Sequence, residues 1–283
     1  MFEFPETLRL DLGIYVDHFI NWITDTFAGF FDGLGSVILW FMLGMENILV
    51  WIPWFIIIAF VIFISWRILN PMTGIIFGLL LMLIGSFGYW ELMMSTLAIV
   101  LTAVVISLIF GVPVGIWMAY NDTVERFVKP ILDLMQTMPS FVYLIPAVML
   151  FSLGLVPGVF ATVIYAIPPV IRLTNLAIRR VSKDMIEASH SFGSSSWQTL
   201  KKVQLPQALP TIMTGINQTT MMALAMVVIA SMVGARGLGM EVLIAINQLD
   251  IAQGFEAGIS IVILAIIIDR LSQGIAERYK YAE

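Results

Sequence analysis

The residue types that could do chemistry are concentrated in one polar stretch, 172–202, which separates two long apolar runs. Helix signals divide this stretch into two short helices joined by a sharp turn. Ser182 can cap the first helix, and Gly193 stands where a helix ends most easily at a residue without a side chain. Such a hairpin is a rigid protrusion.

The second helix of the hairpin has its own predicted beginning and end. Ser195 and Gln198 have the spacing of a capping box, in which each side chain bonds the backbone of the other residue. Leu205-Pro206 is expected to end the helix, because proline has no backbone N–H to donate. His190 belongs to no spaced set of reactive residues, so we interpret it as a solvated loop residue.

Three uncharged polar residues, Gln136, Asn217 and Gln218, lie at membrane depth within the apolar runs. Polar groups are costly in hydrocarbon, so these side chains should face other helices or a water-filled passage. Hydrogen bonding between helices is the more common outcome. A role in a solute pathway is the alternative.

Four aromatic residues invite a second hypothesis, because quaternary ammonium ions are bound by aromatic cages. Aromatic residues near the ends of spans more often anchor a protein at the membrane surface, and we favour that interpretation. The four are Trp117, Tyr143, Phe151 and Tyr165.

The composition determines the environment of the chain. Of 283 residues, 60% are hydrophobic and only 12% are charged, which a soluble domain with a polar surface could not carry. The chain has no cysteine and two histidines, so it cannot form disulfides, thiolate metal sites or a conventional zinc site alone. A net charge of −5 without a basic stripe excludes nucleic acid as a partner. No G-x-x-x-x-G-K-[ST] phosphate loop occurs, so the chain should not hydrolyse ATP by that route.

Uncharged runs predict where the chain crosses the membrane. A helix needs about 20 apolar residues to cross the hydrocarbon. The run 134–171 is long enough for two crossings divided by a turn at 154–158, which gives seven spans. Residues 14–32 should form an amphipathic helix on the outer membrane surface or against the protein's own spans. The uncharged runs are 48–66, 72–90, 92–121, 134–171, 203–235 and 257–268.

Seven spans distribute the basic residues unevenly between the two sides. If the N-terminus is outside, all but two of the 14 Lys and Arg residues lie on the inner side, and the two exceptions are Arg9 and Arg236. Loops rich in Lys and Arg are retained in the cytoplasm. We therefore predict an outer N-terminus, a cytoplasmic C-terminus and a hairpin on the inner face. Arg172, at the inner end of a span, should extend towards the headgroups.

The spaced residues of the hairpin resemble a family signature. Glu187-Ala188-Ser189, three residues, Gly193, nine residues and then Val203-Gln204-Leu205-Pro206 is similar to the cytoplasmic loop of ATP-binding-cassette importer permeases, written EAA, then G, then I-x-LP. Ser189 and Val203 depart from the pattern, by Ser for Ala and Val for Ile, while the spacing agrees throughout. The site residues implied by the resemblance are Glu187, Ala188, Ser189, Gly193, Val203, Leu205 and Pro206.

The resemblance covers the core from about residue 92 to residue 272. The stretches 111–115, 133–139, 141–147 and 227–239 are similar to the glycine betaine and proline betaine permeases of that superfamily. The implied fold class is an all-α polytopic membrane protein with the transmembrane domain of a type I importer. It would have about seven transmembrane helices and an N-terminal interfacial helix.

The same resemblance implies a function and a set of partners. The chain would be the permease subunit of an ATP-driven importer for a compatible solute, glycine betaine or a related quaternary ammonium compound, in a prokaryotic cell membrane. Two copies of a separate ATPase subunit, with ATP and Mg, would drive it. A second permease copy, an extracytoplasmic substrate-binding protein and membrane lipid would complete the assembly. This chain itself would hold no cofactor or metal.

Individual roles in the hairpin are implied in the same way. Glu187 would fix the geometry of the loop or meet a basic group of the ATPase. Gly193 would permit the turn, and Leu205-Pro206 would direct the chain back into the membrane. We expect four parts: an extracytoplasmic N-terminal segment, two accessory transmembrane helices, a permease core that contains the coupling loop 178–206, and a cytoplasmic tail. Their ranges are 1–47, 48–91, 92–272 and 273–283.

The alternative function is an ion- or proton-coupled secondary transporter or channel of a small solute. A coupled transporter normally places a charged residue inside a span, and a channel needs a filter of carbonyl groups or a ring of charges. The uncharged runs contain neither feature. An intramembrane enzyme would need a nucleophile with its base or a metal set, and neither histidine lies in a run.

Overall fold

The structure, a computed structural model, describes residues 12–278, which contain helices and turns and no strand. The predictions for Arg9 and for the ends of the N-terminal segment and the tail lie outside the described residues. The helices are α1 Leu12–Thr26, α2 Ala28–Trp51, α3 Trp54–Ile68, α4 Pro71–Ser86, α5 Trp90–Tyr120, α6 Asp122–Thr137, α7 Leu144–Phe151, α8 Leu155–Arg179, α9 Lys183–Ser191, α10 Ser196–Thr199, α11 Leu205–Ala225, α12 Val227–Ser231, α13 Leu238–Gln248 and α14 Ile251–Arg278.

Helix α8 is central to the bundle, because both α5 and α11 pack closely against it. Two glycines of α5 allow the first of these contacts. A Cβ at Gly111 would lie 2.5 Å from Val170 Cγ1, and a Cβ at Gly115 would lie 2.7 Å from the Ile171 carbonyl oxygen. Small residues four positions apart let membrane helices approach this closely. These glycines therefore set the distance between α5 and α8.

The remaining long helices surround this centre. Helix α14 packs against α11 and α13, and α2 packs against α5. Helices α3 and α4 form a tight pair beside α14. Asn70 begins α4 by accepting a hydrogen bond from the Thr73 N–H at 2.8 Å, and Pro71 takes the first helical position, where no N–H is needed.

Among residues 12–278, four helices are long and apolar enough to cross a membrane: α2, α5, α8 and α14. Helix α6 and the segment Ser140–Phe151 together meet the same test as one strongly bent unit. Helices α3, α4 and α13 are apolar but shorter. Helix α11 fills most of the run 203–235, but polar residues such as Asn217 and Gln218 lower its hydropathy. The number of seven spans stays a prediction.

The N-terminal region differs from the single surface helix predicted at 14–32. Helix α1 ends at Thr26, and α2 begins at Ala28 and continues through the predicted boundary at residue 47. It passes Glu46 without a break, and there the Ser95 hydroxyl of α5 donates a hydrogen bond to the Glu46 carboxylate. A partner on another helix is invisible in the sequence, so the uncharged run alone placed the helix boundary too late.

The first crossing predicted within 134–171 is not a straight helix. Helix α6 ends at Thr137, and the chain then bends by 112° into Ser140–Phe151. Pro139 is the cause, because the residue before a proline avoids the helical conformation and Met138 is extended. The turn predicted at 154–158 lies slightly earlier, and α8 already begins at Leu155.

The last two predicted spans also have different bounds. The run 203–235 is divided between α11 and α12, and α13 is an additional apolar helix that the charge pattern did not separate. Helix α14 has 28 residues and extends well beyond the run 257–268. It passes Asp269, whose carboxylate accepts hydrogen bonds from Asn217 of α11 and from Gln273.

Candidate functional site

The hairpin segment, residues 183–206, lies after α8 and includes the first two residues of α11. Its helices and turn agree with the prediction as far as residue 199. Ser182 precedes α9, although its side chain makes no capping hydrogen bond. Gly193 has a φ of +79°, the left-handed conformation in which many helices end. Ser195 and Gln198 form the complete capping box at the start of α10, with hydrogen bonds of 2.9 and 3.3 Å. Local sequence therefore fixes both helices and the turn between them.

The predicted helix end at Leu205-Pro206 is wrong. Residues Leu200–Gln204 form a π turn, and α11 begins directly at Leu205. The Leu205 N–H donates to the Leu200 carbonyl, five residues earlier. Pro206 then lies in the first turn of α11, where its missing N–H breaks no helical hydrogen bond. The second arm of the hairpin is thus continuous with α11 and does not stop before it.

A buried pair of hydroxyl groups joins the two arms of the hairpin segment. Ser189 Oγ lies 2.9 Å from Thr199 Oγ1 and donates to the Ile186 carbonyl at 2.8 Å. Both side chains are buried, and buried hydroxyls need hydrogen-bond partners. Ser189 is one of the two departures from the family signature, and Thr199 supplies the partner that its extra oxygen requires.

The tip of the hairpin segment presents apolar side chains to its surroundings. Phe192 is 91% exposed and Trp197 is 69% exposed, while Glu187 and Ala188 are exposed on the same α9 arm. Large exposed aromatic residues beside polar ones mark protein contact surfaces. The aromatic side chains at the tip of the hairpin segment are therefore left largely uncovered by the rest of the described chain.

A side-chain hydrogen bond attaches the base of the hairpin segment to the bundle. The hydroxyl of Tyr120, the last residue of α5, donates this bond to Gln204 Oε1. Gln204 is buried and belongs to the π turn that leads into α11. The end of α5 and the start of α11 are therefore joined directly at the base of the hairpin.

Arg179, the last residue of α8, links the helix end that precedes the hairpin segment to α5 and α6. Its guanidinium donates to the Met118 carbonyl of α5 at 2.7 Å and lies 2.7 Å from the Asp122 carboxylate and 3.1 Å from that of Glu125 in α6. Asn175 donates to Glu125 and accepts from Arg179 Nε, both at 3.0 Å. One arginine thus donates a hydrogen bond to a free carbonyl in the last turn of α5 and offsets part of the negative charge in the first turn of α6.

Arg172 was expected to extend towards the lipid headgroups, whereas in the structure it contacts a neighbouring helix. It lies two turns before Arg179 on α8 and forms an ion pair with Asp133 of α6. Its Nε is buried and makes no hydrogen bond. Helix α6 is therefore attached to α8 at two levels, once at each arginine.

The three predicted polar residues of the apolar runs do not come together. Asn217 Nδ2 donates to Asp269 Oδ1 of α14 at 2.9 Å, which is the helix-to-helix alternative. Gln136 is exposed on α6, and Gln218 is exposed on α11. Within residues 12–278, no hydrogen bond joins any two of the three. A pathway role for Gln136 and Gln218 stays a prediction.

The four aromatic residues considered for a cage are also separated. Tyr143 and Tyr165 meet edge to face at 6.1 Å between ring centroids, and Phe151 packs against Phe160 at 4.9 Å. Trp117 is exposed.

The described part of the chain contains no group of three or more His, Asp or Glu side chains placed to hold a metal ion.

The sequence did not reveal the residues that make the stabilising contacts within the hairpin and at its base. Gln204 lies inside the signature, but at its variable position, so the pattern assigned it no role. Tyr120, Thr199 and Arg179 act through partners that are distant in sequence or on another helix. The capping signals that were found are local, whereas these contacts depend on the tertiary structure.

Comparison with known sequences gives a consistent result. The profile of the family described as "Binding-protein-dependent transport system inner membrane component" matches residues 111–281. The glycine betaine transport system permease protein OpuAB of Bacillus subtilis (strain 168) is 50% identical over 96% of this chain and 96% of its own length. The glycine betaine/carnitine transport permease protein GbuB of Listeria monocytogenes is 48% identical over 98% of this chain and 99% of its own.

A third relative extends the comparison to Escherichia coli (strain K12), whose glycine betaine/proline betaine transport system permease protein ProW is 46% identical over 96% of this chain and 77% of its own length. Among solved structures, a chain of the MetNI methionine ABC transporter in an inward-facing conformation matches with a TM-score of 0.60 and 23% identity. The match covers 66% of this chain and 94% of that one. It confirms the predicted fold class, the transmembrane domain of a type I importer.

The family profile and the relatives show which kind of membrane protein the chain is. The chain is a multi-pass inner-membrane protein and the permease subunit of an ABC importer, which works with a separate ATPase subunit and a substrate-binding protein. The alternative of a coupled secondary transporter or channel is not favoured. With a profile match over more than half of its length and three relatives of 46, 48 and 50% identity, the chain belongs to the binding-protein-dependent transport system inner membrane component family.

Proposed function

We propose that this permease imports glycine betaine or a related quaternary ammonium solute, and that the hairpin segment receives the motion of the ATPase. The printed functions of three relatives with 46, 48 and 50% identity support the substrate class. The observation that carries the coupling role is the exposed aromatic tip of a hairpin whose base is hydrogen-bonded to α5 and continuous with α11. A rigid element with a free apolar end is what a lever requires.

The proposed mechanism begins at the tip. Phe192 and Trp197 enter a groove of the ATPase, since buried aromatic residues dominate the energy of protein interfaces. Glu187, exposed on α9, meets a basic group of the ATPase. Gly193 holds the turn in its left-handed conformation. The Ser189–Thr199 contact holds the two arms together, so that they move as one body.

Motion then passes into the bundle by two routes. The π turn and Leu205-Pro206 carry it directly into α11, because no flexible loop interrupts the helical path. Tyr120 carries it to the end of α5, and Arg179 joins that end and the start of α6 to α8; the close packing of α5 on α8 at Gly111 and Gly115 leaves no room to absorb a displacement. Packed helices respond to such a push by shifting as rigid bodies.

The proposed assembly has two copies of this chain and two ATPase chains that bind ATP and Mg. The hairpin segment faces the cytoplasm with the C-terminus, and the N-terminus lies outside. An external binding protein selects the solute, so the pathway needs no tight cage. Gln136 and Gln218, both exposed in the single chain, are proposed to face the passage between the two copies. The divisions at residues 91 and 272 belong to the same proposal, whereas the division at residue 47 falls inside α2 and is not kept.

Reconstitution tests the proposed function. Proteoliposomes that contain this chain, its ATPase and its binding protein should take up labelled glycine betaine when ATP is supplied on the ATPase side. Omission of any one protein should abolish uptake, and a non-hydrolysable ATP analogue should not support it. Uptake that persists without the ATPase would contradict the mechanism. Uptake of a solute that is not a quaternary ammonium compound, with no competition by glycine betaine, would contradict the substrate class.

A further inference from the structure

A cavity of about 600 Å³ lies between α3, α4 and the beginning of α5. It is at the end of the bundle opposite the hairpin segment, because α5 begins beside the cavity and ends at Tyr120 beside Gln204. Its volume falls within the range of about 300 to 1,000 Å³ typical of small-molecule sites. All of its lining residues precede residue 111, where the family profile begins to match.

The lining of the cavity combines apolar side chains with residues suited to a cation. Ile58, Leu81 and Met82 are apolar, and the same lining contains Trp54, Trp90 and Glu91. An ammonium group is attracted both to the face of an indole ring and to a carboxylate. This combination is selective for a cation over an anion, and the apolar side chains add space for a hydrocarbon chain.

The surroundings of the cavity are negatively charged. Burial, followed by the nearby carboxylates Glu241, Glu256 and Asp250, raises the pKa of Tyr89, the residue before Trp90. Those three carboxylates and Glu91 outnumber the single basic residue, Arg236, of the neighbouring loop between α12 and α13. A ligand that enters from this side therefore meets a field that favours positive charge.

The surface next to the cavity indicates where its ligand comes from. Phe55, Leu79 and Met82 expose their side chains on the outer faces of α3 and α4, and such apolar faces on a membrane protein are in contact with lipid chains. Tryptophan residues at helix ends lie at the level of the lipid headgroups. The cavity is thus continuous with the lipid-facing surface at headgroup depth.

We infer that this cavity binds a phospholipid whose headgroup carries a primary ammonium group, as in phosphatidylethanolamine. The ammonium group lies among Trp54, Trp90 and Glu91, and one acyl chain follows Ile58, Leu81 and Met82. The site joins the accessory helices α3 and α4 to the start of α5. Its occupation does not depend on the transported solute.

Native mass spectrometry of lipid retention tests this inference. The purified protein is equilibrated with vesicles of phosphatidylethanolamine and phosphatidylglycerol in equal amounts, and the lipids that remain bound are counted. The wild type should retain phosphatidylethanolamine about fivefold over phosphatidylglycerol, the ratio expected of one cation–π or carboxylate contact. Glu91→Gln and Trp54→Ala should each lower this ratio, and the double variant should bring it close to one. Gly85→Leu, which fills the cavity, should reduce the retention of both lipids.

The control is Trp66→Ala, which removes another exposed tryptophan from the opposite end of α3, beside Arg67. It should leave the ratio unchanged, and gel filtration shows that each variant is folded. Equal retention of the two lipids by the wild type would overturn the inference, as would an unchanged ratio in both Glu91→Gln and Trp54→Ala. Displacement of the lipid by added glycine betaine would show that the site takes a soluble ammonium ion, and would also overturn it.

Discussion

Ser189 Oγ and Thr199 Oγ1 lie 2.9 Å apart in a buried contact between the two arms of the hairpin segment. These arms have no other buried side-chain hydrogen bond between them among the described residues. The contact therefore decides whether α9 and α10 move as one body. It also explains why serine is accepted where the family signature has alanine.

Separate and combined substitution of this pair should give non-additive effects. Thr199→Val leaves the Ser189 oxygen without its donor, and Ser189→Ala leaves the Thr199 hydroxyl unpaired, so each should lower the free energy of unfolding by about 1 to 3 kcal/mol. The double variant should be less destabilised than the sum, because no unpaired hydroxyl remains. Thermal unfolding of the four proteins in detergent measures the difference. Additive effects would show that the two hydroxyls do not interact.

Gly193→Val should uncouple transport without preventing insertion. Gly193 has a φ of +79°, and a Cβ there would meet no atom within 4 Å, so the cost is backbone strain alone. A left-handed conformation costs a non-glycine residue about 1 to 2 kcal/mol. Solute uptake in proteoliposomes should fall strongly while the amount of inserted protein stays constant.

The matched variant at this position is Gly193→Asn, because asparagine tolerates the left-handed conformation. It should retain most of the uptake. If valine and asparagine reduced uptake equally, the conformation of residue 193 would not be what matters. Full uptake by Gly193→Val would count against the lever itself.

Arg179→Ala should destabilise the end of the bundle next to the hairpin segment. The substitution removes hydrogen bonds to Met118 and Asn175 and leaves the acids of the first turn of α6 without their counter-ion. The side chain is partly exposed, with 32% of its surface accessible, so solvent screens part of the loss and we expect about 1 to 3 kcal/mol. Arg180→Ala, at the neighbouring exposed position, is the control and should change the unfolding temperature little. Equal stability of the two variants would contradict the role assigned to Arg179.

Gly115→Ala should force α5 away from α8. Its Cβ would lie 2.7 Å from the Ile171 carbonyl oxygen and 2.6 Å from Thr174 Cβ, and packed backbone has no room to give way. The yield of folded protein should fall sharply. Gly44→Ala in α2, where no atom lies within 4 Å of the new Cβ, should be neutral or slightly stabilising. Comparable yields from the two variants would mean that the close approach of α5 and α8 is not needed.

The sequence predicts what is determined locally. Ser195 and Gln198 form the expected capping box, and Gly193 ends α9, because these signals act over three or four residues. Pro206 could begin a helix as well as end one, and only the π turn before it decides between the two. The course of α2 through Glu46 was missed because the carboxylate of Glu46 accepts a hydrogen bond from Ser95, a residue of another helix.

The same distinction applies to the candidate site. Glu187 through Pro206 could be recognised from fixed spacing, since the arms of the hairpin are continuous in sequence. Tyr120 and Arg179 could not, because their partners become neighbours only in the folded bundle. Exposure of Phe192 and Trp197 is likewise a property of the fold.

The central claim is that the hairpin segment lies on the inner face and is covered by the ATPase. Because the chain has no cysteine, Ser196→Cys creates one unique thiol at an exposed position of the hairpin, and Gln248→Cys creates one at the opposite end of the bundle. A membrane-impermeant maleimide should label the first only from the cytoplasmic side of vesicles, and much less when the ATPase is present; it should label the second only from the other side. Labelling of Ser196→Cys from the outside, or undiminished labelling with the ATPase bound, would contradict the account.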